Sequence, residues 1–210
     1  MQIKKTILTE SVTLEVLRKL TREGLAAEVL TVGDQIYIDF DGAAVPYDVI
    51  GIDADTPAAK ELKHTVTIQA HELIEGHPFD TKRRYGSNDW ETSKLREYLN
   101  SETYAARYAE LAEYAIPVTK TNTNGRETVD TFFLLSVGEY DAKDTPYEYY
   151  KEKPYRAAKH AKDDFNDWHR TRSAGRDTSY YTWYVNSRGN VDSCGPAGYS
   201  MCYAPACAIG

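Results

Sequence analysis

Apolar residues recur at helical spacing early in the chain. Leu14, Leu17 and Leu20 make a stripe, Ser11 or Thr13 stands where a cap belongs, and Gly24 stands where a helix would stop. The period then changes to two. In "DQIYIDF", Ile36, Ile38 and Phe40 share a face; Asp41-Gly42 is a tight-turn pair, and "VPYDVIGID" resumes the extended pattern, so a hairpin is predicted. "HTVTIQA" alternates as well, with Val66, Ile68 and Ala70 on one side.

The middle of the chain returns to the helical period. "SKLREYLN" aligns Leu95, Tyr98 and Leu99, and "SETYAARYAELAEYA" reads as one further helix carrying Tyr104, Tyr108, Leu111 and Ala115 on one side. That helix must stop before Pro117, because proline disfavours helical backbone in the residue before it. Asn124-Gly125 between extended stretches predicts a second hairpin. Residues 139–167 are polar, with helical pieces such as "YRAAKHAKD", and read as an inserted surface segment. The last forty residues read as short strands and turns. Helices grouped between hairpins predict an α+β fold with antiparallel sheet, not alternating βαβ units.

Composition adds one unusual feature, 17 tyrosines against 5 phenylalanines. Tyrosine has an apolar body and a polar tip, which suits half-exposed positions and contact surfaces. The net charge of −7 argues against a groove that tracks phosphates, so nucleic acid is not an expected partner. The single basic cluster, Lys82-Arg83-Arg84, reads as a solvated loop. No apolar run reaches the roughly 20 residues that a membrane span needs. The start lacks a continuous apolar stretch, so no signal peptide is expected and folding in a reducing cytoplasm is.

Candidate chemistry is sparse. The dinucleotide fingerprint, the phosphate-binding loop and the nucleophile-elbow serine are absent, so no cofactor is expected. His64, His71 and His77 are spaced seven and six apart, and HExxH is missing; they read as scattered polar residues, and no metal is expected. "IDFDG" and "GIDADT" lack the spacing and closing glutamate of a calcium loop. All three cysteines lie near the end. Cys202 and Cys207, in "CYAPAC", could act as a thiol pair, but their alanine-rich surroundings read as a core strand.

The segment "WYVNSRGNVDS" reads as a hairpin turning near Arg188-Gly189. With the valines facing the core, alternation turns Tyr184, Asn186, Asn190 and Asp192 outward and sets Arg188 at the tip. The preceding loop adds Arg176, Asp177, Tyr180 and Tyr181, and Tyr199 follows in a second turn. Tyrosine with small polar residues and arginine is the composition of adaptable contact surfaces, and also that of ordinary turns.

The ordered set "VGDQIYIDFDG…VPYDVIGID", "HTVTIQA", "YGSNDWETSKLREYLN", "TFFLLSVGEY", "TRSAG" and "WYVNSRGNV…CYAPACAIG" resembles an uncharacterised domain family of Firmicutes and their prophages. That family looks related to the C-type-lectin-like fold of formylglycine-generating enzymes and of diversity-generating retroelement variable proteins. The resemblance runs from about Val32 to the end, which leaves residues 1–28 as an N-terminal helical extension and 29–210 as a C-type-lectin-like domain. It implies a non-catalytic ligand-binding protein, phage- or prophage-associated and carried on a virion in one version. Its partner would be a protein or glycan on a cell surface, with homo-oligomer formation compatible. By the same resemblance Arg176, Asp177, Tyr180, Tyr181, Asn186, Arg188, Asn190 and Asp192 are contact residues, while Trp168, Arg172, Trp183, Val185, Gly189 and Val191 are scaffold. The calcium-dependent sugar motifs Glu-Pro-Asn and Trp-Asn-Asp are missing. Formylglycine-generating enzymes also use two cysteines five apart, so an oxidase using Cys202 and Cys207 is the alternative.

Overall fold

A computed structural model describes residues 13–40, 42–81, 85–141, 144–152 and 167–210. Helix α1 (Leu14–Arg22) is capped by Thr13, whose hydroxyl accepts from the Val16 amide, and the chain leaves it through Gly24 at φ 71°. The short α2 (Ala26–Val29) precedes the hairpin of β1 (Gln35–Phe40) and β2 (Ala43–Ile52). Then come β3 (Thr56–Pro57), β4 (Val66–Ala70) and β5 (Ile74–Pro78). A 3-10 turn, Trp90–Thr92, leads into α3 (Lys94–Leu99), α4 (Glu102–Arg107) and α5 (Ala109–Tyr114). Strands β6 (Ala115–Ile116), β7 (Val118–Thr121), β8 (Glu127–Asp130) and β9 (Phe132–Phe133) follow, then α6 (Val137–Tyr140) and α7 (Glu148–Glu152). The chain closes with β10 (His169–Ala174), β11 (Tyr181–Val185), β12 (Val191–Pro196), β13 (Ser200–Tyr203) and β14 (Ala206–Ile209).

These strands make an α+β fold of antiparallel hairpins; helices α3–α5 group in the middle of the chain, while α1 and α2 precede the first strand and α6 and α7 follow β9. One sheet runs β1-β2-β4-β14-β6, with β9 also on β14; a second runs β12-β11-β10-β13-β5; a third runs β3-β7-β8. Among these pairs only β10 with β13 is parallel. Strand β14 is central to the first sheet, and all four of its residues are buried. "ACAI" suits that place: small side chains let both faces be covered closely.

Four features depart from the sequence reading. Helix α1 is not an extension, because Leu14, Leu17 and Ala26 join the same core as Val66, Phe133 and Ile209. The helix expected over "SETYAARYAELAEYA" is interrupted at Tyr108, where φ −117° and ψ 45° end α4 and start α5. Strand β4 is buried on both faces. Its polar face is satisfied internally: Thr67 donates to Asp55 at 2.5 Å, and Gln69 donates to the Tyr140 hydroxyl at 2.8 Å and accepts from Tyr150 at 2.5 Å. The polar segment 139–167 also sends Tyr140, Tyr147 and Tyr150 into the core, so in its described part it is not a surface insertion. "YRAAKHAKD" and Lys82-Arg83-Arg84 lie outside the described residues. No helix among the described residues is long and apolar enough to cross a membrane.

Candidate functional site

The predicted contact residues divide between the two ends of β11. At five residues this strand is about 13 Å long. At one end lie Arg176 and Asp177, both exposed, with Tyr180 and Tyr181. Tyr199 belongs to the same end, because Tyr181 pairs with Pro196 and the Tyr199 amide donates to the Pro196 carbonyl. At the other end is the turn from Asn186 to Asn190. The Asn186 side chain accepts from the Arg188 amide at 2.9 Å and the Asn190 amide at 3.1 Å, and Gly189 takes φ 84°. Asn186 therefore shapes this turn while Arg188 projects from its tip.

Strict alternation fails for Tyr184. The β11–β12 pairing shifts register between Tyr184 and Val185, and both residues are buried. Tyr184 stacks on Trp168, with ring centroids 5.0 Å apart and planes within 8°. Trp168, expected in the scaffold, is 45% exposed and covers Tyr184. The side chain of Asp192 lies outside the described residues.

The Tyr199 end carries an aromatic patch. Tyr85 stacks on Tyr180 at 5.3 Å, Tyr180 meets Tyr181 edge-on at 4.9 Å, and Tyr199 is 58% exposed nearby. Tyr85 was not singled out in the sequence; "YGSN" offered a turn signal but nothing that linked it to residues a hundred positions later. The backbone makes that link. The Ala197 amide donates to the Tyr180 carbonyl and the Gly198 amide to the Tyr85 carbonyl, at 2.8 and 2.7 Å. The Asn88 amide group donates to the carbonyls of Thr178 at 2.7 Å and Tyr181 at 2.9 Å, so one side chain holds both ends of the loop bearing Tyr180. Asn88→Ala strands these acceptors, and a loss of about 1–3 kcal/mol in urea unfolding is expected. Amide exchange should quicken in residues 175–181; unchanged exchange there would show that Asn88 does not hold the loop.

Arg170 fixes the turn from below. It is buried, and its guanidinium donates to the Thr182 hydroxyl and to the carbonyls of Pro196 at 3.3 Å and Tyr199 at 2.9 Å. Burial pulls its pKa down to about 10. Two residues along the same strand, Arg172 anchors a charged network under a cleft of about 490 Å³. It pairs with Glu139, which also meets Lys120 at 2.6 Å; Lys120 reaches Asp55 at 2.7 Å and the Tyr147 hydroxyl at 2.9 Å. Burial opposes ionisation of Glu139, but Arg172 and Lys120 outweigh it and hold the carboxyl at about 2. Two cations balance two carboxylates, so the network reads as a pin between β7, α6 and β10.

The chain belongs to the DUF6273 family. A family model described as "Domain of unknown function (DUF6273)" matches residues 64–209, a stretch that holds the whole aromatic patch and the hairpin. No curated protein and no solved structure matches the chain.

Within this DUF6273 domain the two cysteines considered for chemistry lie on different sheets. Cys202 is on β13, with its sulfur 3.7 Å from Asp167, and Cys207 is on β14. Cys207 is fully buried, and burial pushes its thiol pKa upward, the reverse of what a reactive thiolate needs. The histidines are dispersed: His64 meets Asp53, His71 meets Asp48, and His77 stacks on Tyr98. Among the described residues no three His, Cys, Asp or Glu side chains converge as a metal would require.

Proposed function

We propose that this DUF6273 domain is a non-catalytic binding module that meets a protein or glycan on a cell surface through its C-terminal loops. The observation that carries the reading is the patch of Tyr85, Tyr180, Tyr181 and Tyr199 on loops tied by backbone hydrogen bonds. Rigid tyrosines offer contact area at little entropic cost, and Arg176 and Asp177 beside them add charge for orientation. The sequence resemblance to C-type-lectin-like variable proteins supports contact through Arg176, Asp177, Tyr180 and Tyr181 of this patch, as well as through the Asn186–Asn190 turn at the other end of β11, and a phage or prophage setting. A reverse transcriptase gene beside this one, with a near-copy of its 3′ end differing at adenines, would support a diversified form of the reading.

The test is flow cytometry of fluorescently labelled domain on a panel of Firmicutes cells. Tyr180→Ala and Tyr199→Ala are each expected to cut staining about tenfold or more, with melting temperature within about 2 °C of the parent. Staining unchanged by both substitutions would sink the assignment.

A further inference from the structure

A second concavity, of about 410 Å³, shares no residue with the patch. It opens where β2 and β4 of the first sheet meet β5 and β13 of the second, against the α3–α5 helices. Its floor is Tyr47, Ala70, Leu73 and Tyr203, all buried. Two stacked aromatic pairs form its walls: Phe40 on Tyr108, with centroids 4.5 Å apart, and His77 on Tyr98, at 5.0 Å and planes within 7°. Arg107 spans both pairs at the rim, donating to the Tyr98 hydroxyl at 2.9 Å with its guanidinium 5.1 Å from the Phe40 ring centre.

The chemistry of the lining restricts what fits. The floor residues carry no charge, and the two charged side chains of the lining, Glu72 and Arg107, are not buried and are opposite in sign; burial raises the pKa of Tyr47, Tyr108 and Tyr203, so these phenols stay neutral at pH 7. A floor of that kind does not compensate a buried charge on a ligand. A phenol hydroxyl both donates and accepts, and its ring offers a flat apolar face. His77 extends the set: Nδ1 lies 2.6 Å from the Pro78 carbonyl and donates to it, which leaves Nε2 as an acceptor in the neutral ring. Aromatic faces next to groups that donate and accept match a ring with an apolar face and hydroxyls around its edge. The volume is near the small end of the range for small-ligand sites, room for one or two such rings.

We infer that this tyrosine-walled cleft binds a neutral sugar ring, as a site separate from the C-terminal patch. Saturation-transfer NMR on the full chain tests it, with methyl glycosides of glucose, galactose, mannose and N-acetylglucosamine as probes and indole as a flat, hydroxyl-free comparison. At least one glycoside should receive saturation. Val45→Trp, which fills the cleft from its partly exposed wall, should weaken that glycoside roughly tenfold or more. Tyr98→Ala, at a partly exposed position, removes one wall and should do the same if the tryptophan variant fails to fold. Tyr199→Ala should leave glycoside affinity unchanged, which separates this site from the patch. Saturation of indole but of no glycoside, no saturation of any probe, or glycoside binding that survives both cleft substitutions would each overturn the inference.

Discussion

Glu139→Gln is expected to lower stability by about 3–5 kcal/mol, the cost of breaking a buried ion pair from one side. For a domain of this size that is a fall of roughly 10 °C or more in melting temperature. The substitution preserves shape, and a glutamine oxygen can still accept from the Ser136 amide, as Glu139 does at 2.7 Å. What disappears is the charge that faces Lys120 and Arg172, which are 5% and 3% exposed. Both cations then lack a carboxylate that they share, and Asp55 alone must balance them. Lys94→Gln is the control. Lys94 pairs with Glu97 at 2.6 Å, as close as the buried contact, but both side chains are open to solvent, so its loss should leave the unfolding midpoint where it was.

The same network sets an acid limit. Glu139 ionises at about 2 in the folded chain against an ordinary 4.5. The unfolded chain therefore binds the proton more tightly, and stability rises with pH through this window. The contribution, roughly 3 kcal/mol, is present in full above about pH 4.5 and is lost as pH falls towards 2. In Glu139→Gln the acid limb of a stability-versus-pH curve should flatten. A parallel curve in both proteins would mean that other carboxylates govern acid unfolding.

Local signals in the sequence were reliable wherever one residue type fixes the backbone. Thr13 caps α1, and Gly42 and Gly125 take positive φ in the turns of the two hairpins. Sequence patterns failed where burial depends on distant partners. Thr67 and Gln69 look solvent-facing by alternation, yet Asp55, Tyr140 and Tyr150 reach them from segments far along the chain. The same cause hid part of the candidate site. Alternation assumes an unbroken ladder, and the register shift after Tyr184 turns that residue inward against Trp168. The tyrosine excess also divides. Tyr47, Tyr104, Tyr147 and Tyr203 are core residues, and the exposed patch uses only a few of the rest. Composition could suggest a contact surface, but only tertiary pairing separates surface tyrosines from core ones.

Gly86→Ala is expected to damage stability and binding together. Gly86 has φ +74°, where a β-carbon costs about 1–2 kcal/mol through backbone strain alone. Here the added carbon would also stand 2.5 Å from the Asp80 carbonyl oxygen and 2.9 Å from the Gly198 amide nitrogen. Neither is a side chain that can swing away. Both belong to the seam that joins the Tyr85 and Tyr199 segments, in which the Asp80 amide donates to the Ala197 carbonyl at 3.2 Å. Relieving the clash means opening that seam, for a combined loss of about 3–5 kcal/mol. Gly42→Ala isolates the backbone part, since Gly42 has φ +81° and nothing within 4 Å of the added carbon. Its cost should stay near 1 kcal/mol. Equal losses in the two variants would show that close packing at Gly86 is not what holds the seam. With unequal losses, cell staining should fall in Gly86→Ala and persist in Gly42→Ala, because only the first substitution separates Tyr85 from the loop that carries Tyr199.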